Sequence, residues 1–348
     1  MDEAKLMEFM GRLVTDLGGA AMAASMALGE RLGLYKAMAG GEPMTPEDLA
    51  GRTGCHPRLV REWLNAQAAS GYVEHSDGTF RLPEEQALAL AIEDSPVYVA
   101  GGAGVLATMF IDMDKQVEAM RGDGGISWAD HHPMLFSGTE KFFRPGYKAN
   151  LVPSWLPALA DVVPKLEAGA MVADVGCGHG ASTILMAEAF PASTFRGFDF
   201  HGPSVETARE RAASAGVGNR VEFEQATAKD YPGTGYDLVC FFDCLHDMGD
   251  PEGAARHARE VLAEDGTVML VEPFAGDTLD ENLTPVGRLF YAASTFVCLP
   301  NSLSQEVGLG LGAQAGEARL SEVFRDAGFG RFRRATETPF NLVIEVRP

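Results

Sequence analysis

Two stretches of this 348-residue chain carry side chains at spacings that suit chemistry. Residues 172–180 read VADVGCGHG, so a carboxylate, Asp174, precedes three alternating glycines, Gly176, Gly178 and Gly180, separated by Cys177 and His179. Glycine tolerates positive φ and lets a ligand approach the backbone. The loop therefore reads as a place where main-chain amides meet a bound molecule. The second stretch, FFDCLHDMGDP, holds Asp243, Cys244, His246, Asp247 and Asp250, and Glu272 follows in VEP. An imidazole titrates near neutral pH and a carboxylate fixes its tautomer, so the adjacent His246 and Asp247 have the chemistry of proton transfer. The same His-Asp pair has a plainer use, capping the helix that follows. Cys240, Cys244 and His246 make poor zinc geometry and no second cluster accompanies them, so no metal is expected. Cys240 reads as a small buried residue of its strand.

These residues need regular elements to hold them. From residue 171 the rhythm is strand–helix alternation. MVADV, STFRGFDF (ending at Asp199), RVEFEQA, YDLVCFFD and GTVMLVEP read as strands. ASTILMAEAF, SVETARERAASAG (capped by Ser204) and PEGAARHAREVL (capped by Asp250, with Pro251 first) read as helices. Repeated βα units imply an α/β domain with a parallel doubly wound sheet and ligands at the carboxyl ends of its strands. RRATETP and FNLVIEVRP are two further strands, and the very short link between them forces them antiparallel.

The first 95 residues read mostly helical. Leu13, Leu17, Ala20, Ala21 and Ala24 fall at helical spacing, and AMAASMALGERLGLYKAM looks like a buried helix pair serving the core or oligomerisation. Thr45, Pro46 and Asp48 open one short helix. HPRLVREWLNAQAASG is a second, with Leu59, Val60, Trp63, Leu64 and Ala68 on one stripe. YVEHSDGTFRL turns at Asp77-Gly78, a hairpin signal. Helix, turn, helix, hairpin is a winged-helix plan. The expected organisation is a winged-helix domain over residues 1–95, a helical linker and lid over 96–165, and the ligand-binding α/β domain over 166–348.

Composition narrows the partners. Hydrophobic residues make up 46%, enough for a real core. With 28 Lys+Arg against 49 Asp+Glu the net charge is −21, which works against DNA or anionic lipid. Arg58 and Arg61 on the second winged-helix helix are too little to offset it, so nucleic acid is not an expected partner. The five cysteines form no paired framework and fit a reducing compartment. No signal-peptide pattern opens the chain and no run is long enough to span a membrane. A soluble cytoplasmic protein is expected.

Two ligand classes share this topology. Gly176, Gly178 and Ala181 satisfy the dinucleotide fingerprint, and Asp199 stands about 20 residues on, where a ribose-binding acid belongs. Asp174, Gly176, Gly178 and Gly180 equally match the D-x-G-x-G-x-G loop of S-adenosylmethionine (SAM) enzymes. A pyrophosphate asks for amides and no nearby acid. SAM has no phosphate and carries an ammonium, a carboxylate and a sulfonium, so Asp174 has a cation to meet and Asp199 has ribose hydroxyls to hold. The acid favours SAM, and an NAD-linked oxidoreductase is the competing reading. Residue types also suggest an apolar wall for a substrate. Phe142 and Tyr147 lie on the linker side, and Tyr291 and Phe296 on the long insertion after the fifth strand. Arg288, Ser302, Ser304 and Gln305 are available there to orient polar groups. His131 and His132 read as loop or lid residues.

From about residue 171 to the end the chain resembles class I SAM-dependent methyltransferases. That family has a Rossmann-like seven-stranded sheet whose last, antiparallel strand pair follows a step here matched by Gly328-Phe329. GLYKAM…TPEDLAGRTG…VREWLNAQAASGYVE resembles the N-terminal winged-helix dimerisation domain of two-domain small-molecule O-methyltransferases. The resemblance implies SAM as methyl donor, S-adenosylhomocysteine as product, a homodimer, and a small organic acceptor methylated at oxygen. It puts Gly176, Cys177 and Gly178 along the methionine end, with Asp243 and Cys244 touching the same part. Asp199 takes the ribose, Phe200 flanks the adenine, and Thr227, Ala228 and Lys229 cover the adenine edge. Many relatives carry an acid where Thr227 stands, so that contact is weakened here. His246, Asp247 and Asp250 match the H-D-x-x-D motif that supplies the base histidine, with Glu272 as its supporting acid. Two alternatives remain beside methyl transfer: a SAM-binding winged-helix regulator, and a protein of this fold that binds SAM without transferring methyl.

Overall fold

In the computed structural model, which describes residues 1–348, the signal at Thr45 is realised as a full capping box. Thr45 Oγ1 accepts from the Asp48 amide at 3.2 Å, and Asp48 Oδ2 accepts from the Thr45 amide at 3.0 Å. The helix Pro46–Thr53 follows, then Pro57–Ala69 and a hairpin of β1 (Glu74–Ser76) and β2 (Thr79–Arg81). Asp77 and Gly78 turn the hairpin with φ of 49° and 80°, as a tight two-residue connection requires. Leu34, Tyr35, Leu49, Leu64 and Phe80 build a core of their own, with Trp63 edge-on to Tyr35 at 5.0 Å. The expected buried helix pair is formed by the end of the first helix and the short helix Leu34–Met38, whose Leu34, Tyr35 and Met38 are buried. The first helix, Glu3–Arg31, keeps Leu13 and Leu17 exposed and buries only Met22, Ala27 and Gly29 near its end. Gly29 is required there because a Cβ would stand 2.5 Å from the Trp63 ring.

The chain divides into two units, Met1–Ile111 with Pro133–Gly146, and Asp112–His132 with Tyr147–Pro348. The stretch 96–165, expected to be one linker, is thus shared out between them. The second unit holds β3 (Met171–Val175), β4 (Thr194–Asp199), β5 (Val221–Gln225), β6 (Tyr236–Phe242), β7 (Leu262–Pro273), β8 (Arg331–Glu337) and β9 (Asn341–Arg347). Their order is β5-β4-β3-β6-β7-β9-β8. β9 runs antiparallel to both neighbours, and its short link to β8 demands that direction for the outer pair. Helices on both faces bury the central strands, so Leu238, Val239, Phe241 and Leu270 are at most 1% exposed. Asp250 caps the helix Pro251–Val261 as expected. The helix Gly202–Ser214 starts two residues ahead of its expected cap, and Ser204 lies inside it with its hydroxyl 2.8 Å from His201 Nδ1.

The strand order reverses between β3 and β6. At such a reversal the connections leave in opposite directions and open a crevice beyond the strand ends. The glycine loop follows β3 and the His246 stretch follows β6, so both chemical stretches reach the same place. No helix is long and apolar enough to cross a membrane.

Candidate active site

The glycine loop is held by its own amides. Gly176 N and Cys177 N donate to Phe198 O at 2.7 and 3.0 Å, and Gly178 N donates to Asp199 Oδ2 at 2.9 Å. The three glycines differ in purpose. A Cβ at Gly176 would meet Cys244 Sγ at 2.7 Å, and one at Gly180 the Phe223 ring at 2.6 Å, so both serve packing. A Cβ at Gly178 would meet nothing within 4 Å. That glycine faces open space, where a ligand can come close. Cys177 is buried between them, and burial pushes its thiol pKa well up.

Asp174 departs from the expected open carboxylate. It is fully buried, and its Oδ2 accepts from Ser182 Oγ at 2.7 Å and Thr183 Oγ1 at 2.6 Å. It therefore anchors the first turn of the helix Ala181–Ala189 and holds the loop from beneath. Burial raises its pKa to about 6, against the pull of both hydroxyls. Its Oδ1 is buried with no partner. Asp199 stands at the end of β4, half-buried, accepting from Gly178 N and, at 2.8 Å, from His201 N. Burial raises its pKa and the two amides pull it down, with a net rise. Phe200 beside it is 45% exposed, a free ring next to the acid.

In the loop after β5 the Thr227 hydroxyl has a protein partner. It donates to Asp230 Oδ1 at 2.6 Å, and the same oxygen accepts the Thr227 amide at 3.0 Å. Thr227 closes a turn whose acid, Asp230, stands three residues later. Ala228 is half-buried between them. Lys229 is not merely a solvated charge: it lies 3.0 Å from Glu306 and 3.2 Å from Asp250.

Beyond β6 the chain turns through Asp243, at φ 48°. Its Oδ2 accepts from Tyr147 Oη at 2.7 Å and its Oδ1 from Asn341 Nδ2 at 2.9 Å, so the side chain is spent on protein partners. Burial, then the charge of Glu272, raises its pKa to about 8. Cys244 donates from Sγ to Val175 O at 3.1 Å and fills the space beside Gly176. The turn Leu245–Asp247 presents His246, 4% exposed. Glu272 Oε1 accepts from the Leu245 amide at 3.0 Å, and its Oε2 binds His246 Nδ1. His246 Nε2 lies 3.2 Å from Asp247 Oδ1, an ion pair when the ring is charged. Burial disfavours the charged ring, but Glu272 and Asp247 outweigh it and hold its pKa well above the usual value. Cys298 Sγ joins these two, all three ligand-type atoms lying within 4.8 Å of one another. Burial first, then Asp247, pushes that thiol up to about 11, as in a hydrogen-bonded cluster built around a protonated ring.

Other expected residues fall elsewhere. Asp250 is spent on Gly253 N, at 2.8 Å, and on Lys229. Ser302 and Gln305 bind Met248 O and Asp247 O, at 2.8 and 3.0 Å, and Ser304 binds Asn301 O at 2.7 Å. Ser302 and Gln305 thus fasten the insertion to the His246 turn, while the Ser304 bond stays within the insertion. Tyr147 packs against Trp155 and Phe242. Phe296 is half-buried in the π-helical turn Ser294–Cys298, and Tyr291 is exposed. Phe142 lies in the other unit, against Phe143 and Gly102. Asn341 and Asp230 carry no sequence signal that would have found them. They are brought in by the β9 register and by a local turn.

A family model described as a methyltransferase domain matches residues 166–322, and one described as an Rv2258c-like winged HTH domain matches residues 20–91. The 27-O-demethylrifamycin SV methyltransferase of Amycolatopsis mediterranei is 38% identical over 114 residues, 32% of this chain and 41% of that protein. The chain spans less than half the length of the curated relatives it matches. The solved mitomycin 7-O-methyltransferase aligns over 100% of both chains at 20% identity, with a TM-score of 0.69. Human N-acetylserotonin methyltransferase, solved with SAM, covers 100% of this chain and 98% of its own at 17% identity, with a TM-score of 0.71.

Proposed function

This chain carries a methyltransferase domain and an N-terminal winged helix-turn-helix domain, and from that premise we propose that it transfers a methyl group from SAM to a hydroxyl of a small aromatic or otherwise apolar molecule. The observation that carries this reading is the His246–Glu272 pair, set at the end of β6 beside a glycine loop whose Gly178 faces open space. SAM, when bound, supplies a methyl already activated on a cationic sulfur. The protein has then to align the acceptor, exclude water and receive a proton. Asp199 and the exposed Phe200 suit a ribose and an adenine. The Asp230 carboxylate suits the adenine amino group in place of Thr227. Asp174 acts on the pocket through the helix start it anchors.

His246 serves as the base. Glu272 keeps a proton on Nδ1, which leaves Nε2 for the acceptor hydroxyl once the ring is neutral. With its pKa held well above the ordinary value, the ring is a strong base but is mostly charged at neutral pH, so the reaction favours alkaline conditions.

A homodimer fits the same reading. Met7, Phe9, Val14 and Leu17 are exposed along the helix Glu3–Arg31, an apolar surface that a second copy would cover. Sedimentation velocity should show a dimer that dissociates when Phe9 and Leu17 become Asp. Nucleic acid fits poorly, since Arg58 and Arg61 are paired with Glu62 and Glu47. The five free cysteines suit the cytoplasm.

Calorimetric titration with SAM, S-adenosylhomocysteine and NADH tests the reading. SAM and its product should bind and NADH should not. A panel of phenols and alcohols should then release S-adenosylhomocysteine. Binding of NADH alone would overturn the assignment, and tight SAM binding with no turnover of any acceptor would favour the regulator.

A further inference from the structure

Three donor side chains of different chemistry converge at the His246 turn. His246 Nε2, Asp247 Oδ1 and Cys298 Sγ all lie within 4.8 Å of one another, and the first two are 3.2 Å apart. His246 and Cys298 are buried and Asp247 is half-buried beside them. Cys298 arrives from the far insertion, at the end of the π-helical turn Ser294–Cys298. Such turns are rare and occur frequently at functional sites. The expectation of no metal rests on Cys240 and Cys244, and the cluster uses neither. Cys240 is buried within β6, and Cys244 donates to Val175 O at 3.1 Å.

The donors are fixed by their own supports. Glu272 Oε2 holds His246 Nδ1 and leaves Nε2 to face Asp247. A carboxylate on the far ring nitrogen is the usual support of a zinc-binding histidine. The insertion that brings Cys298 is tied to the same turn. Asn301 Nδ2 and Gln305 Nε2 donate to Asp247 O at 3.2 and 3.0 Å, and Ser302 Oγ donates to Met248 O at 2.8 Å. A tetrahedral zinc ion spaces nitrogen and oxygen ligands about 3.3 Å apart, and nitrogen and sulfur ligands about 3.6 Å. The 3.2 Å between Nε2 and Oδ1 meets the first spacing. Cys298 Sγ has to close by about 1 Å at most to meet the second. Imidazole, thiolate and carboxylate together suit Zn2+, whereas Mg2+ and Ca2+ take oxygen ligands.

We propose that His246, Asp247 and Cys298 form a zinc site, and that the bound ion holds the protein inactive. Three protein ligands leave the fourth position to water. The ion takes the places of the protons on Nε2 and Sγ, which leave to solvent. The site stands on the cluster geometry, and its inhibitory consequence rests on the methyl-transfer reading. Nε2 has one lone pair, and a lone pair given to zinc cannot receive the acceptor's proton. Glu272 is then a positioning residue for the metal as well as for the base.

Chelator-treated protein titrated with ZnCl2, CoCl2 and MgCl2 tests this. Calorimetry should show a single Zn2+ bound per chain and no comparable uptake of Mg2+. Co2+ should give the visible bands of a tetrahedral ion and a thiolate-to-cobalt charge-transfer band in the near ultraviolet. Cys298→Ala should abolish the charge-transfer band and weaken Zn2+ about tenfold or more. Cys55→Ala, which removes a thiol of the other unit, should leave band and affinity unchanged. Asp247→Asn should keep the band yet weaken the ion, which covers the case of an unfolded Cys298→Ala in thermal melts. Saturating Zn2+ should slow methyl transfer roughly a hundredfold or more, the weight of a lost base, and at the same Zn2+ concentration Cys298→Ala should be slowed far less. Absence of Zn2+ binding, Mg2+ bound as well as Zn2+, a charge-transfer band that survives in folded Cys298→Ala, or a rate that saturating Zn2+ leaves untouched or raises would each overturn the proposal. The two readings fail separately. Metal-free protein that turns over no acceptor but shows the cobalt–thiolate band loses methyl transfer and keeps the zinc site.

Discussion

The loop after β3 and the turn after β6 face the same crevice but are built in opposite ways. The glycine loop is backbone: its amides bind Phe198 O and Asp199, and its shape follows from three positive φ angles. The His246 turn is side chains: Glu272 from β7, Asn341 from β9, Tyr147 and Cys298 from distant segments all converge on five consecutive residues. A site made of backbone holds a ligand whatever its protonation state. A site made of buried titratable groups responds to pH and fails when one partner is lost. Binding and chemistry are thereby separable in this molecule, and each can be attacked alone.

The largest separation is expected at His246. His246→Ala should slow methyl transfer by roughly two to four orders of magnitude, the usual weight of a general base, with S-adenosylhomocysteine affinity unchanged by calorimetry. Equal loss of both would show that the turn is part of the binding site. In the wild-type protein the rate should rise with pH through a midpoint above the ordinary histidine value, because Nε2 must lose its proton before it can accept another. Glu272→Gln removes the strongest support of the charged ring, so burial takes over and the midpoint should move down. A pH–rate profile checks both.

The glycines come next. Gly176→Ala drives a Cβ into Cys244 at a φ of 75°, and should cost about 2–4 kcal/mol in a urea melt. Gly178→Ala meets no atom and should cost only about 1–2 kcal/mol of backbone strain, yet weaken S-adenosylhomocysteine about tenfold by obstructing the open face. If the two variants behave alike, the distinction between a packing glycine and a ligand glycine is lost.

Smaller effects test the charges beneath the loop. A folded-state pKa raised to about 6 means that the protonated Asp174 is the one favoured by folding. Its stabilising contribution is full below roughly pH 4, the unfolded value, and is lost as pH climbs through 6. Asp174→Asn should therefore flatten the dependence of melting temperature on pH between 4 and 6. A slope that persists would place the titration elsewhere. Tyr147→Phe removes one hydrogen bond to Asp243 and should cost about 1 kcal/mol in the same melt.

Much of this was legible in advance for local reasons. The Thr45 capping box, the Asp77-Gly78 turn, the βα rhythm and the Asp250 cap each depend on residues a few positions apart, so a linear reading finds them. The antiparallel end of the sheet follows from the shortness of one link. The carboxylate of Asp174 is closed off by Ser182 and Thr183, and nothing in a linear reading says that these hydroxyls turn back onto it. Thr227 was weighed for its hydroxyl, which a neighbour three residues away consumes. Ser302 and Gln305 suggested substrate contacts, and tertiary packing spends them on the His246 turn.

By itself the sequence determined the sheet, the glycine loop beside an acid, and the winged-helix plan, because periodicity, capping and φ preference act over short spans. Only the tertiary structure decided which carboxylates are buried and which histidine nitrogen faces which acid. Those outcomes depend on burial and on partners as far apart in the chain as Asp243 and Asn341. An ionisable group takes its charge from its surroundings, and the surroundings exist only once the chain has folded.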